Sequence, residues 1–531
     1  MVAKWIDFPN IPQLSFKDVS YTTEIPALRP FYNYTPSLEA FASIIEQRKK
    51  RPVNRKALVE VLIEQYKGLS SSNKVEAQIE ALRKEHTFTL ITAHQPSLFT
   101  GPLYYIYKIL STIHLSRKLN AAYPTYHFVP VFVTGGEDHD FEEVNYINLF
   151  KRKLVWENDQ NGAVGMMSTK SLLPVLEKLK EILGTSEKAA QIYKLIHTAY
   201  TQHETYGMAT IHLAHELFKE YGLVIANMNH PKLKRLFIPE IKEEIFNRPS
   251  KNLVSQTAEQ LSAIDFKPQA YPREINFFYL KENLRKRIVY EDGVYQVLNT
   301  SYSFSREEME QEIEQYPAHF SPNVVMRPLY QEKIMPNLAY IGGGGEIAYW
   351  LERKTQFAHF GIHFPMLIRR NSVLWLDKGT CKKLRKFNLS VDDIFNDTDS
   401  IIRNFVESAS TASLEIQSEI AQVSSVFDTI AIKGKKIDAT LEKAILAEKT
   451  KQLKALQQLE GRLIRAEKQK HEVALNQIRN LKEKLFPKNG LQERYDNFLE
   501  FYLKYGHSFF DVLLERLNPL EKKFLVISDC D

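Results

Sequence analysis

Apolar residues gather into short runs over most of the chain and spread into long heptads near its end. Phe88 to Thr92 is apolar, β-branched and followed by a turn signal, the pattern of a buried strand. Pro96, Gly101 and Pro102 then break regular structure, and Pro102 suits the first position of a helix. That helix is expected to run to about Leu119, with Tyr105, Ile109, Ile113 and Leu115 on its apolar side. Phe128 to Val133 is a second strand-like run. It ends at Gly135 and Gly136, where the chain can turn sharply, before Glu137, Asp138, His139 and Asp140. The whole is a βαβ unit. In open parallel sheets ligands bind outside the carboxyl ends of the strands, and a helix N-terminus offers free N–H groups to anions. His94, Gln95, Thr100 and Gly101 in one loop and Glu137 to Asp140 in the other are therefore candidates for one pocket.

The remaining pattern divides the chain. Leu38 to Gln47, Arg55 to Tyr66 and Lys74 to Lys84 predict helices that carry no evident chemistry. Lys153 to Trp156 reads as a strand. Ser171 to Leu183, Lys188 to Thr201 and Tyr206 to Tyr221 read as helices, and Leu223 to Asn227 as another strand. Ile275 to Leu280, Arg287 to Tyr290 and Val294 to Leu298 predict antiparallel strands, with a hairpin turn at Glu291-Asp292-Gly293. Ser305 and Glu308 form a capping box. Val324 to Arg327, Leu338 to Ile341 and Met366 to Ile368 are further strand candidates. Gly342, Gly343, Gly344 and Gly345 precede a helix expected to reach Phe357; they suit either a ligand loop or a tight turn. From Ile402 to Ile430 the apolar steps of three and four predict one long helix. Lys433-Gly434-Lys435-Lys436 is expected to break it, and a second helix to run from Asp438 to Leu485, together an antiparallel coiled-coil hairpin. The apolar run Phe524 to Ile527 is expected to pack back on the core.

Composition narrows the function classes. The 531 residues exceed one ordinary core. Domains are expected at 1–385, 386–486 and 487–531, with helical (157–222) and β-rich (252–304) insertions in the first. A net charge of +6 neither demands nor excludes nucleic acid. Two cysteines, Cys381 and Cys530, fit a reducing cytosol without a disulfide framework and exclude a cysteine-rich zinc site. No signal pattern or window of 18 apolar residues is present, so neither secretion nor membrane insertion is expected. His203, His212 and His215 lack the His-Glu-x-x-His spacing and are expected to be ordinary packed or surface histidines. Glu137 to Asp140 suit general acid–base work or the holding of an amine. No further ligands converge on them, so no metal site is expected. His94 is a candidate anion donor or a plain loop histidine.

TAHQPSLFTGPLYYIYK, GGEDHDFEEVN and RPLYQEKIMPNLAYIGGGGEIAYW, with the late LQER segment, together resemble the bacillithiol biosynthesis cysteine-adding (BshC) family, in order and over nearly the whole chain. The first loop departs from the family's common Thr-Gly-Gln-Gln, reading Thr92-Ala93-His94-Gln95. The resemblance implies an α/β fold: a Rossmann-like parallel-sheet core like that of class I aminoacyl-tRNA synthetases, with connecting insertions and a coiled coil that dimerises. It implies a cytoplasmic ligase joining L-cysteine to glucosaminyl-malate. ATP, with or without Mg2+, is the cofactor expected for activating the carboxylate. Glu137, Asp138, His139 and Asp140 would be catalytic. Thr92, His94, Gln95, Thr100, Gly101, Arg327 and Glu346 would hold substrate. Gly342, Gly343, Gly344, Gly345, Gln492, Arg494 and Tyr495 would hold nucleotide. A synthetase-like RNA binder and a coiled-coil interaction protein with a degenerate core are the alternatives; nucleic acid is the less expected partner.

Overall fold

A computed structural model of the chain describes residues 1–409 and 416–530. Two compact units emerge: Ala3–Leu374 with Gln492–Ile527, and Trp375–Leu491 with the extreme termini. The larger unit is built on a five-stranded parallel sheet. Its spatial order is Met366–Arg369, Asn337–Gly342, Thr87–His94, His127–Thr134, Val224–Asn227. Numbered along the chain this is 5-4-1-2-3, the doubly wound order, whose switch point lies between the first and fourth strands. The strands are buried almost along their whole length, as expected of a parallel sheet with helices on both faces. Tyr104–Ala122 crosses from the first strand to the second. Pro102 lies just before it, two residues short of the position expected for it.

A five-stranded sheet decorates this core, in the order Ser303–Phe304, Val294–Val297, Leu284–Glu291, Phe277–Lys281, Phe320–Pro322. The expected hairpin turn is present, with positive φ at Asp292 and Gly293. So is the capping box: Glu308 N–H donates to Ser305 Oγ, and Ser305 N–H to Glu308 Oε2. Val324 to Arg327 is not a strand. Asn323 Oδ1 accepts from Val325 and Met326 N–H, turning the chain into the helix Arg327–Ile334. The helix after the glycines is two, Gly344–Leu351 and Lys354–His359. Phe524 to Ile527 is buried in a strand, and Leu525 N–H donates to the Ser372 carbonyl at 2.9 Å.

The smaller unit is mostly helical. Gln417–Ile437 and Ala439–Lys470 form the hairpin. The break falls at Asp438, not at Lys433 to Lys436. Gly434 stays helical because Ile445 packs where its side chain would be: an added Cβ would lie 2.6 Å from Ile445 Cδ1. The second helix also breaks, at His471, before Glu472–Leu485. Ala412, part of the expected heptad, lies outside the described residues. Cys381 and Cys530 form a disulfide, against the expectation of two unpaired thiols. No described helix is long and apolar enough to cross a membrane.

Candidate active site

The loops that leave the first and fourth strands open at the switch point, and between them lies a cavity of about 500 Å³, the size of a small-ligand site. The acidic loop after the second strand closes one side, and its position is set by backbone crowding. A Cβ on Gly165 would lie 2.7 Å from the Gly136 carbonyl, and one on Gly207 would lie 2.7 Å from the Gly165 carbonyl. Gly165 N–H donates to Gly136 O and Val164 N–H to Asp138 O, fastening the loop from behind.

Each acidic side chain has its own surroundings. Glu137 pairs with the fully buried Lys234 at 2.8 Å, and Lys234 also donates to the Phe320 carbonyl. Asp138 accepts from Gln95 Nε2 at 2.7 Å, from His139 N–H at 2.8 Å and from Arg285 at 3.3 Å. Burial would raise its pKa, but these partners outweigh burial and hold it well below the usual carboxylate range. Arg285 Nη1 lies 2.6 Å from His139 Nδ1. Asp140 and Glu143 differ: burial first, then neighbouring carboxylates, raises both pKa values. Glu143 lines the cavity; Asp140 and His139 stand outside its wall. Donor atoms of Asp138, His139 and Asp140 lie within 4.8 Å of one another. The Arg285 guanidinium already occupies the Asp138 and His139 donors, so the group fits Mg2+ poorly.

Across the cavity, Glu346 caps its own helix. Gly343 N–H donates to Glu346 Oε2 at 2.8 Å, and Tyr340 OH to Oε1 at 2.6 Å. The buried Lys108, from the crossover helix, pairs with it at 2.7 Å. Burial pushes the Glu346 carboxyl up, but Lys108 prevails and holds it down at about 2. His94 lies nearby, its Nδ1 on the Gln95 carbonyl and its Nε2 3.3 Å from Tyr104 OH. Burial, aided by the Lys108 charge, lowers the His94 pKa from 6.5 to about 4. The imidazole is therefore neutral near pH 7. Its folded pKa is depressed, so between about pH 4 and 6.5 the unfolded chain binds a proton that the folded chain does not. Stability should rise with pH across that window, by at most about 3 kcal/mol. Urea titrations of the wild type and His94→Gln from pH 4 to 7 check this; the variant should lose that part of the slope.

Two further ion pairs brace this wall. Arg370 Nη1 and Nη2 reach Glu493 Oε2 and Oε1 at 3.0 and 2.7 Å, both residues buried. Arg369 Nε donates to Asp18 at 2.9 Å. The Asp18 carboxylate sits against Gly344, where an added Cβ would lie 1.8 Å from Oδ1.

The cavity thus gathers His94, Gln95, Glu137, Asp138, Arg327, Gly343, Gly344, Gly345, Glu346 and Arg494 from the expected set. Others stand elsewhere. Thr92 spends its hydroxyl on the Ile341 carbonyl, tying the first strand to the fourth. Thr100 and Gly101 turn away with positive φ, because buried Asn497 Nδ2 holds the Phe99 and Gly101 carbonyls. Gly342 is the last residue of its strand, Gln492 is buried, and Tyr495 is not in the wall. Gly343 N–H, expected to meet phosphate, is taken by Glu346. Arg285, Arg370 and Asp18 went unread because each enters from an element with no motif of its own; Lys108 ends the run Thr92 to Lys108 but sits within a helix read only for its apolar face. His203 and His212 hydrogen-bond each other at 2.7 Å and His215 meets the Ser70 carbonyl, as packed histidines do.

Family models match both units. “Bacillithiol biosynthesis BshC, N-terminal Rossmann-like domain” covers residues 1–371 and “C-terminal coiled-coil domain” covers residues 373–528. A Flavobacterium johnsoniae protein described as “Putative cysteine ligase BshC” is 42% identical over 510 residues, 96% of each chain. A Christiangramia forsetii protein of the same description is 38% identical over 99% of each chain. A Bacillus cereus one is 28% identical over 93% of this chain and 95% of its own. A solved structure described as a “putative arginyl t-RNA synthetase” from Campylobacter jejuni covers 86% of this chain and 98% of its own. Its identity is 13% and its TM-score 0.22, too low to carry an argument about fold.

Proposed function

The chain belongs to the BshC family of bacillithiol biosynthesis, and on that premise we propose that it is a ligase forming an amide between the carboxylate of L-cysteine and the amine of glucosaminyl-malate. The carrying observation is the charge layout of the switch-point cavity. Carboxylates of the acidic loop stand on one side, and Arg327, Arg370 and Arg494 contribute guanidinium groups to the same lining.

A free carboxylate has no leaving group. ATP, when bound, would supply one, and the arginines of the lining would hold its phosphates or a substrate carboxylate. The layout favours arginines over the glycine loop for that task, since Gly343 N–H is already engaged. Gly345 remains open to the cavity: nothing lies closer than 3.8 Å to an added Cβ. Neutral His94 can donate or accept one hydrogen bond without bringing a second charge. Attack on the activated carbonyl requires the incoming amine to lose a proton. Glu143 suits that task, because it faces the cavity and its raised pKa brings it nearer the working range. Asp138, held ionised by His139 and Arg285, orients Gln95 and does not take the proton. A reaction that uses ATP would belong in the cytoplasm.

Purified protein with cysteine, glucosaminyl-malate and ATP should yield the amide thiol by mass spectrometry. AMP as coproduct would mark an adenylate and ADP an acyl phosphate; no amide with any nucleotide would defeat the proposal. Glu143→Gln should lower kcat by about 10²–10⁴ with little change in KM.

The hairpin supports a homodimer reading. Val426, Ile430, Ile432 and Ile437 are exposed on one helix and Leu441, Leu446, Leu459 and Leu463 on the next, apolar side chains that a partner helix would cover. Light scattering should give twice the 61.7 kDa chain mass, and Ile430→Glu with Leu459→Glu should shift it to the monomer.

A further inference from the structure

The only two cysteines in the sequence are bonded to each other. Their surroundings are unequal. Cys381 is buried, with 2% of its surface exposed. It sits near the N-terminal end of the helix Lys378–Lys386, capped by Asp377, whose side chain accepts from Thr380 N–H. Lys378, Lys382, Lys383, Arg385 and Lys386 lie on that helix, and it carries no acidic residue. Cys530 is partly exposed, in the terminal segment that follows the strand Lys523–Ser528. Asp529 N–H holds this segment to the Leu376 carbonyl at 2.9 Å.

A disulfide opens when a thiolate attacks one sulfur and the other departs. The accessible sulfur is attacked more readily, and the other departs. Exposure therefore assigns the roles: partly exposed Cys530 is the attacked sulfur and buried Cys381 the leaving group.

We infer that the Cys381–Cys530 disulfide is an exchange site for a low-molecular-weight thiol, which attaches to Cys530 and releases Cys381. The incoming thiolate pair forms the new sulfur–sulfur bond to Cys530 Sγ. The pair of the old bond leaves on Cys381 Sγ and takes a proton from solvent. One disulfide is exchanged for another, so no oxidant or reductant is consumed. Cysteine as the physiological thiol rests on the function proposed above; the exchange chemistry does not. A ligase that consumes one thiol and forms another would then carry a covalent record of the thiol pool on its own terminal segment.

The test uses the full chain and cysteine itself as the probe. Protein purified without reductant, then denatured and alkylated, should show no free thiol. After native incubation with excess cysteine and quenching with iodoacetamide, peptide mapping should find cysteine on Cys530 and the alkyl group on Cys381. Two free thiols at the outset, cysteine attached to Cys381, or exchange seen only after denaturation would each overturn the inference. Cys381→Ser has no disulfide to open and should gain no cysteine anaerobically; a gain equal to wild type would also overturn it. These readouts need no turnover. A chain without ligase activity that still maps cysteine to Cys530 would sink the proposed function and leave the exchange site standing.

Discussion

Lys108→Met should cost about 3–5 kcal/mol of stability and remove most activity. Lys108 Nζ lies 2.7 Å from Glu346 Oε2, also donates to the Ala93 carbonyl, and has 1% of its side chain exposed. Methionine keeps the length and apolar stem of lysine, so packing changes little; what changes is that the Glu346 carboxylate loses its countercharge. Tyr340 OH and Gly343 N–H would remain as its donors, and neither carries a charge. Glu346 also fixes the start of its helix through Gly343, so the cavity wall should loosen with it. The pair carries a pH signature. The folded pKa of Glu346 is depressed from 4.5 to about 2, so its contribution is present above about pH 4.5 and is lost as pH falls towards 2. Lys108→Met should flatten the stability profile over that acid range. The double variant Lys108→Met with Glu346→Gln should be more stable than Lys108→Met alone, because no unpaired charge remains. Denaturant unfolding of the single and double variants decides it; equal stabilities would refute the account.

Arg370→Met should be comparably severe. Glu493 is fully buried and accepts from both Arg370 Nη atoms, from Ser372 Oγ at 3.0 Å and from Val373 N–H at 3.1 Å. Burial pushes its pKa up, but Arg370 wins and keeps it ionised. Loss of Arg370 leaves that charge with neutral hydrogen-bond donors and only the unbonded charges of Arg369 and Arg494 nearby, again a cost of about 3–5 kcal/mol. Arg370 also lines the cavity, so ligand affinity should fall beyond what stability explains. Arg370→Lys separates the two effects. It restores one positive charge but not the bidentate fork, so it should recover stability more than it recovers binding. A thermal melt, with the KM for ATP and for cysteine, distinguishes the outcomes.

Local pattern revealed the parallel core because its strands are short β-branched runs with both faces covered, and such runs announce themselves. It placed His94, Gln95, Glu137 and Asp138 together because strand ends in a doubly wound sheet converge on the switch point; Glu346 joined them only through the family resemblance. It did not reveal which loop atoms face inward. Thr100 and Gly101 share a loop with His94, yet Asn497, almost 400 residues later in the chain, turns their carbonyls away. Asp18 precedes the first predicted helix and Arg370 follows the strand candidate Met366 to Ile368, neither in a motif, and only tertiary closure brings the first against Gly344 and the second against Glu493. The hairpin break was displaced because Lys433 to Lys436 looks like a turn in isolation. Ile445 filling the space beside Gly434 makes that glycine a helix-packing position instead. The disulfide was hidden because 149 residues separate its cysteines.

Gly136, Gly165 and Gly207 meet behind the acidic loop, each from a different segment. Gly165 and Gly207 stand outside the cavity lining, so natural selection would see these two only through the loop they support. Any side chain at Gly165 or Gly207 would push Glu137, Asp138 and Glu143 together, as one rigid flap. Mutational drift through those two positions is therefore closed even where the rest of the insertion diverges. Among lineages that keep the chemistry, the two glycines should outlast most of their neighbours; in a descendant that has abandoned it, they should be among the first to be lost.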